Sequence, residues 1–239
     1  METILFFACI LFVASVLQTS TGFGFSIMAT PFLLMLLLPQ EAIQINIILS
    51  LFISLSLIWK IRATIDFTIL KRLTIGSIAG VPFGIMLFIS IDIEMFKLGI
   101  AILLLLLTLL LILNFRVKPT PVRDFIVGGL SGLLTTSIGM PGPPLLLYFT
   151  GTNTEKAKLR ATTLAFYLFI YLISLIAQIC FTGTSLFIWQ SSIYAIPIVL
   201  FGLYVGQIIF KWLNQNAFKI LTYILLSFTG IYLLIDYFN

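Results

Sequence analysis

Seven stretches of the chain carry no charged residue: Thr3 to Gln40, Ala42 to Trp59, Leu73 to Ile91, Leu98 to Phe115, Phe125 to Thr154, Ala161 to Phe210 and Ile220 to Ile235. They are 38, 18, 19, 18, 30, 50 and 16 residues long. Apolar positions inside them are near-continuous, as from Leu103 to Leu107, where the strands of a membrane barrel would alternate apolar and polar. A helix crossing a bilayer needs about 20 apolar residues, within a range of about 17 to 25. The four runs of 16 to 19 residues therefore predict one segment each. The run of 50 predicts two, divided at Thr182-Gly183-Thr184-Ser185. The runs of 38 and 30 also predict two each, all four of them short. Ten segments result, and the fold class expected is an all-α polytopic membrane protein.

Composition agrees. Hydrophobic residues make up 61% of the 239 and charged residues 9%, against roughly 25% charged in soluble domains. The 13 basic and 8 acidic side chains are too few to cover a water-soluble core. Where they fall sets the orientation, because cytoplasmic loops collect Lys and Arg. With the N-terminus outside and a crossing at every segment, 12 of the 13 basic residues lie inside and only Lys97 outside. Glu2, Glu41, Asp92, Glu94 and Asp236 then fall outside, as do both termini. The first segment carries Glu2 in place of a basic leader and has no small-x-small cleavage site, so it reads as a retained helix. Cys9 and Cys180 lie in apolar segments with no pairing motif and read as small hydrophobes.

Ten segments with a natural break near residues 116 to 123 divide into two repeats of five, 1–115 and 116–239. An odd number per repeat inserts the two with opposite topology, the inverted repeat of secondary transporters. Each repeat opens with a doubled run interrupted by glycine and proline. The first reads Gln18-Thr-Ser-Thr-Gly22-Phe-Gly24-Phe-Ser-Ile-Met-Ala-Thr-Pro31, the second Ser131-Gly-Leu-Leu-Thr-Thr-Ser137-Ile-Gly139-Met-Pro-Gly142-Pro-Pro144, and aligning Pro31 with Pro144 overlays them. Short, Gly/Pro-interrupted segments at matching places in two halves point to a transporter binding site. Here they are residues 17–38 and 130–151. Entering from opposite faces, the two breaks can meet near the midplane.

Irregular backbone at membrane depth is tolerated only where protein or a water-filled cavity satisfies it. The start of a half-helix offers free N–H groups and a positive dipole end, which suits an anion. Pro31 and the pair Pro143-Pro144 suit first-turn positions, where a missing N–H costs nothing. Hydroxyl and amide groups gather at both breaks: Gln18, Thr19, Ser20, Thr21, Ser26 and Thr30, then Ser131, Thr135, Thr136 and Ser137. The candidate substrate site comprises Gln18, Thr21, Gly22, Gly24, Ser26, Pro31, Asn46, Ser131, Thr135, Thr136, Ser137, Gly139, Gly142, Pro143, Pro144 and Arg160. Any one of the small residues also suits close helix packing, and Ser or Thr can bond within its own helix. Gln44 and Asn46 open the third segment, where they would line the first-half cavity. Arg160, with Thr162 and Thr163, opens the eighth. It would draw anions to the cytoplasmic mouth, or snorkel as an ordinary interfacial residue. The tyrosines and Trp59, Trp189 and Trp212 mostly suit interfacial belts.

What is missing narrows the field. No Asp, Glu or His sits deep in a segment, so a carboxylate proton relay is unsupported. Intramembrane metal chemistry lacks its ligands, and no GxxxxGK[ST] loop supplies an ATPase.

The stretch Gly128-Gly-Leu-Ser-Gly132, then Thr136-Ser-Ile-Gly139-Met-Pro-Gly142-Pro-Pro144-Leu and Leu159-Arg-Ala-Thr162, resembles the signature of the sulfite exporter TauE/SafE family of membrane permeases. Thr21-Gly-Phe-Gly24 through Pro31 is similar to its first copy, and the resemblance spans essentially the whole chain. It implies passage of small sulfur-containing anions, such as sulfite or organosulfonates, across the cytoplasmic membrane. The expectation is a secondary transporter of small anions working by alternating access, not an enzyme. The alternative is a non-transporting membrane scaffold or assembly subunit. Expected partners are the anion and the lipid bilayer. No nucleic acid, cofactor or metal is expected, and a homo-oligomer is left open.

Overall fold

The computed structural model describes residues 2–90, 93–113, 120–152, 154–212 and 215–238. They form ten α-helices: α1 (Glu2–Thr21), α2 (Phe25–Leu36), α3 (Pro39–Ile61), α4 (Phe67–Ser90), α5 (Ile93–Ile112), α6 (Pro121–Ile138), α7 (Gly142–Gly151), α8 (Lys156–Thr182), α9 (Leu186–Trp212) and α10 (Gln215–Phe238). The chain is an all-α polytopic membrane protein. The expected boundary at residues 115 and 116, with Arg116 and Lys118 beside it, lies outside the described residues, as does Asp92.

Helix ends follow local chemistry. Gly22 and Gly24 at φ 86° and 114° end α1 and start α2. Pro121 opens α6 behind Thr120, whose hydroxyl accepts the Arg123 N–H. Asp66 caps α4 by accepting the N–H groups of Thr68 and Ile69. Gly139 at φ 70° closes α6, and Gly183 at φ 79° closes α8 within the four-residue turn expected there. Helices run past the charge-free stretches to include flanking charges such as Glu41, Lys60, Lys71 and Asp124. Among the described residues, five helices (α1, α3, α4, α8 and α9) are long and apolar enough to cross a membrane. At about 1.5 Å per residue, the 12 residues of α2 and the 10 of α7 are too short to do so. Each is the return limb of a hairpin with the helix before it.

Glycine sets the closest packing. Gly76, Gly80 and Gly84 on α4 lie against the backbone of α6, while Gly128 and Gly132 on α6 lie against that of α4. A Cβ on Gly80 would stand 2.0 Å from the Gly129 carbonyl oxygen, and one on Gly128 would stand 2.2 Å from that of Leu73. Gly202 and Gly206 of α9 seat on Ser15 and Thr19 of α1 in the same manner. Close backbone approach through small residues is how helices associate where lipid removes the hydrophobic drive.

The pairing has a pattern. Renaming α1–α5 as α6–α10, and the reverse, turns α4–α6 into α9–α1, α3–α9 into α8–α4 and α2–α10 into α7–α5, all of which are packed pairs. The pairs α3–α8 and α5–α10 map onto themselves. Along the chain, the same number of residues separates Gly22 from Gly139, Phe25 from Gly142, and Pro39 from Lys156. Outside this core, Phe83, Met86, Leu186, Tyr194, Phe201 and Tyr204 are exposed, a surface suited to lipid.

Candidate functional site

α3 and α8 cross at the centre, and each carries a buried polar stripe at helical spacing. On α3 it is Asn46, Ser50 and Ser54; on α8 it is Arg160, Thr163, Tyr167, Tyr171, Ser174 and Gln178. The breaks of the two hairpins lie against these stripes.

At the first break, Gly22 presses on α8 so closely that a Cβ would stand 2.7 Å from Arg160 Cα. Arg160 is only 6% exposed, its guanidinium carbon lies 4.1 Å from the centre of the Phe210 ring, and its Nε and Nη2 have no acceptor. The first four N–H groups of α2, on Gly24, Phe25, Ser26 and Ile27, have no partner within their helix. Thr21 donates to the Leu17 carbonyl (2.7 Å) and accepts the Phe23 N–H (3.2 Å), which fixes the turn. Ser26 Oγ lies 3.2 Å from the Tyr171 hydroxyl. Gln18 Nε2 donates to the Ser50 carbonyl (3.2 Å) and leaves its Oε1 unpartnered. The buried hydroxyls of Thr19, Thr30 and Thr163 are unpartnered as well. Donors dominate this break.

The second break differs. Asn46 Nδ2 donates to the Gly139 carbonyl (2.9 Å), and Gln178 Nε2 donates to that of Thr136 (2.8 Å). The hydroxyls of Thr135, Thr136 and Ser137 donate to the carbonyls of Ser131, Gly132 and Leu133 at 2.5, 3.0 and 2.8 Å. Ser131 Oγ alone among them is unpartnered. Pro143 and Pro144 occupy the first turn of α7, and Pro141 precedes it, so of the four leading positions only Gly142 has an N–H. The two breaks meet: a Cβ on Gly142 would stand 3.7 Å from Phe23 Cβ and 2.9 Å from the Tyr167 hydroxyl, which is unpartnered.

Several expectations change. Pro31 is not in a first turn; it is the seventh residue of α2, so overlaying it on Pro144 misplaces the breaks by a turn. The α7 start is not rich in N–H groups, because its prolines have none. Asn46 serves the second break, not the first-half cavity, and Gln44 reaches the turn between α8 and α9, donating to the Gly183 carbonyl. Arg160 is buried, not snorkelling. Tyr148, Tyr167 and Tyr171 are core residues, not belt residues, and both cysteines are exposed. Asp124 is buried at the start of α6, ion-paired with Arg72 at 3.1 Å and accepting from the Tyr148 hydroxyl at 2.5 Å. The sequence reading missed Tyr167, Tyr171 and Gln178. Their three- and four-residue spacing along one face of α8 was the signal.

The family model described as Sulfite exporter TauE/SafE matches residues 6–233. No curated protein and no solved structure matches the chain.

Proposed function

The chain belongs to the sulfite exporter TauE/SafE family, whose members carry sulfur anions across membranes, and from this we propose that it is a secondary transporter of sulfite, an organosulfonate or a related small oxyanion in the cell membrane. The observation that carries the reading is the first break, where Gly22, two residues before the Gly24 cap of α2, packs on Arg160, whose buried guanidinium has Nε and Nη2 without acceptors among the described residues. A helix start stabilises negative charge, and charge-assisted bonds to a guanidinium are stronger than neutral ones. An oxyanion there accepts from Arg160 Nε and Nη2 and from the leading N–H groups of α2. Alternating access is taken to come from two inverted repeats, 1–115 and 116–239, with both termini outside. The exchange pattern in the packing supports that organisation. Candidate glycines act as turn formers and spacers: Gly22 and Gly24 allow the first break, Gly139 seats the second hairpin on Asn46 of α3, and Gly142 brings it onto Phe23 and Tyr167.

Purified protein in liposomes tests the reading. Sulfite or sulfonate flux above that of protein-free vesicles is expected. Vesicles that stay silent towards all these anions would instead indicate a structural membrane subunit.

A further inference from the structure

We propose that the second break binds a monovalent metal cation. Around Gly139, Asn46 and Gln178 each engage an amide hydrogen and leave an oxygen over. Asn46 and Gln178 each face a backbone carbonyl, which only an amide nitrogen can satisfy, so their oxygens point away; both oxygens are fully buried and unpartnered. Thr135 and Ser137 have each donated their one hydrogen to their own helix and retain acceptor lone pairs, while Thr136, bonded to the Gly132 carbonyl, also meets Ser174 Oγ at 2.8 Å. α6 ends here, adding the partial negative charge of its C-terminus. Across the break, proline removes the N–H groups that would otherwise compete for these oxygens.

A buried surplus of acceptors is satisfied by a cation. Its type follows from the donor set. Divalent ions take carboxylate ligands, and none of the residues at Gly139 carries one. A proton needs a titratable acceptor, and amide oxygens, hydroxyls and backbone carbonyls offer none. Neutral oxygens at the end of an interrupted helix suit Na+. Because the anion site adjoins this break through Phe23 and Gly142, the cation is the coupling ion of the transport proposed above, a step that rests on that reading.

The test separates the two. Equilibrium binding of 22Na+ to the full purified chain, without any anion, is expected to be saturable, displaced by excess Na+ or K+ and not by choline. Flux in liposomes is expected to rise about tenfold when an inward Na+ gradient replaces choline. The Gln178→Leu substitution should raise the Na+ concentration for half-saturation by about 10-fold or more, a typical loss when a metal site is altered. If that variant does not fold, Gln178→Asn, which keeps an amide but withdraws its oxygen, should weaken Na+ binding by a similar factor. Anion flux without saturable Na+ binding overturns the inference, the oxygens then meeting water only, and leaves the transport reading standing. Na+ binding without any anion flux overturns the transport reading instead. Na+ binding with flux indifferent to Na+ overturns the coupling, as does a Gln178 variant that folds and binds unchanged.

Discussion

Burying a guanidinium among apolar helices is costly unless its donors find acceptors, and Arg160 keeps two donors without one. In the proposed transport, an arriving oxyanion supplies what the protein withholds. Replacing Arg160 by Ala should weaken sulfite binding by about 10- to 100-fold, the equivalent of one charge-assisted bond. Arg160→Lys should recover part of that loss, because it keeps the charge but not the fork of donors. Titration calorimetry on the detergent-purified variants measures both. At this scale the sequence was only partly legible. Arg160 borders a charge-free run, which reads as a membrane edge, and only the fold shows that Gly22 caps it from the far hairpin. The glycines of positive φ were visible as breaks. The hydroxyls were visible as residues but not as donors or acceptors, since Thr135 and Ser137 could be assigned only once their helix carbonyls were seen to take their hydrogens.

Helix by helix, the charge gaps were sufficient to find ten elements because an apolar helix shuns ionisable groups in its middle and keeps them to its ends. They could not tell a crossing from a return limb, since α2 and α7 are as apolar as the rest; their length decides it. Packing partners were also hidden, though the glycine spacing of α4 and α6 carried a hint. Gly80→Val should drive a side chain into the Gly129 carbonyl, 2.0 Å from the first added atom. Overpacking of this kind costs about 1–3 kcal/mol, and a lower melting temperature in detergent with flux falling in parallel is expected. At the cytoplasmic ends as oriented here, Asp66 ties the start of α4 to Lys158 of α8 at 2.6 Å. Partial burial raises its carboxyl, yet Lys158 and the N–H groups of Ile69 and Thr68 outweigh this and hold it below the usual 3.8. A depressed folded value stabilises fully above the unfolded one and is lost as pH falls through the folded one. The stability difference between wild type and Asp66→Asn should thus be constant from neutral pH down to about 5 and close below 3.8, followed by thermal melts across pH.

For the whole molecule, the proposed orientation, with the basic loops inside, requires that a reporter joined after Asn239 work only outside the membrane. Activity on the cytoplasmic side would reverse the orientation. The architecture also changes what a moving body can be. α4 of the first repeat is seated on α6 of the second, and α9 of the second on α1 of the first. Under the proposed alternating access, a rigid group that rocks contains helices from both proposed repeats, and neither is a free-standing lobe. Sequence symmetry could suggest the repeats but not this exchange of partners, because hydropathy records which faces are apolar and not which neighbour they meet.

The exchange also bears on synthesis. A ribosome delivers the first repeat before the second, so the glycine stripe of α4 must wait in lipid for α6, and Ser15 and Thr19 of α1 wait longer still for α9, near the end of the chain. Folding is then a matter of timing as much as of affinity. The early half is exposed to wrong partners until the late half arrives, and slowed elongation between residues 120 and 212 should increase the share of chains degraded before completion.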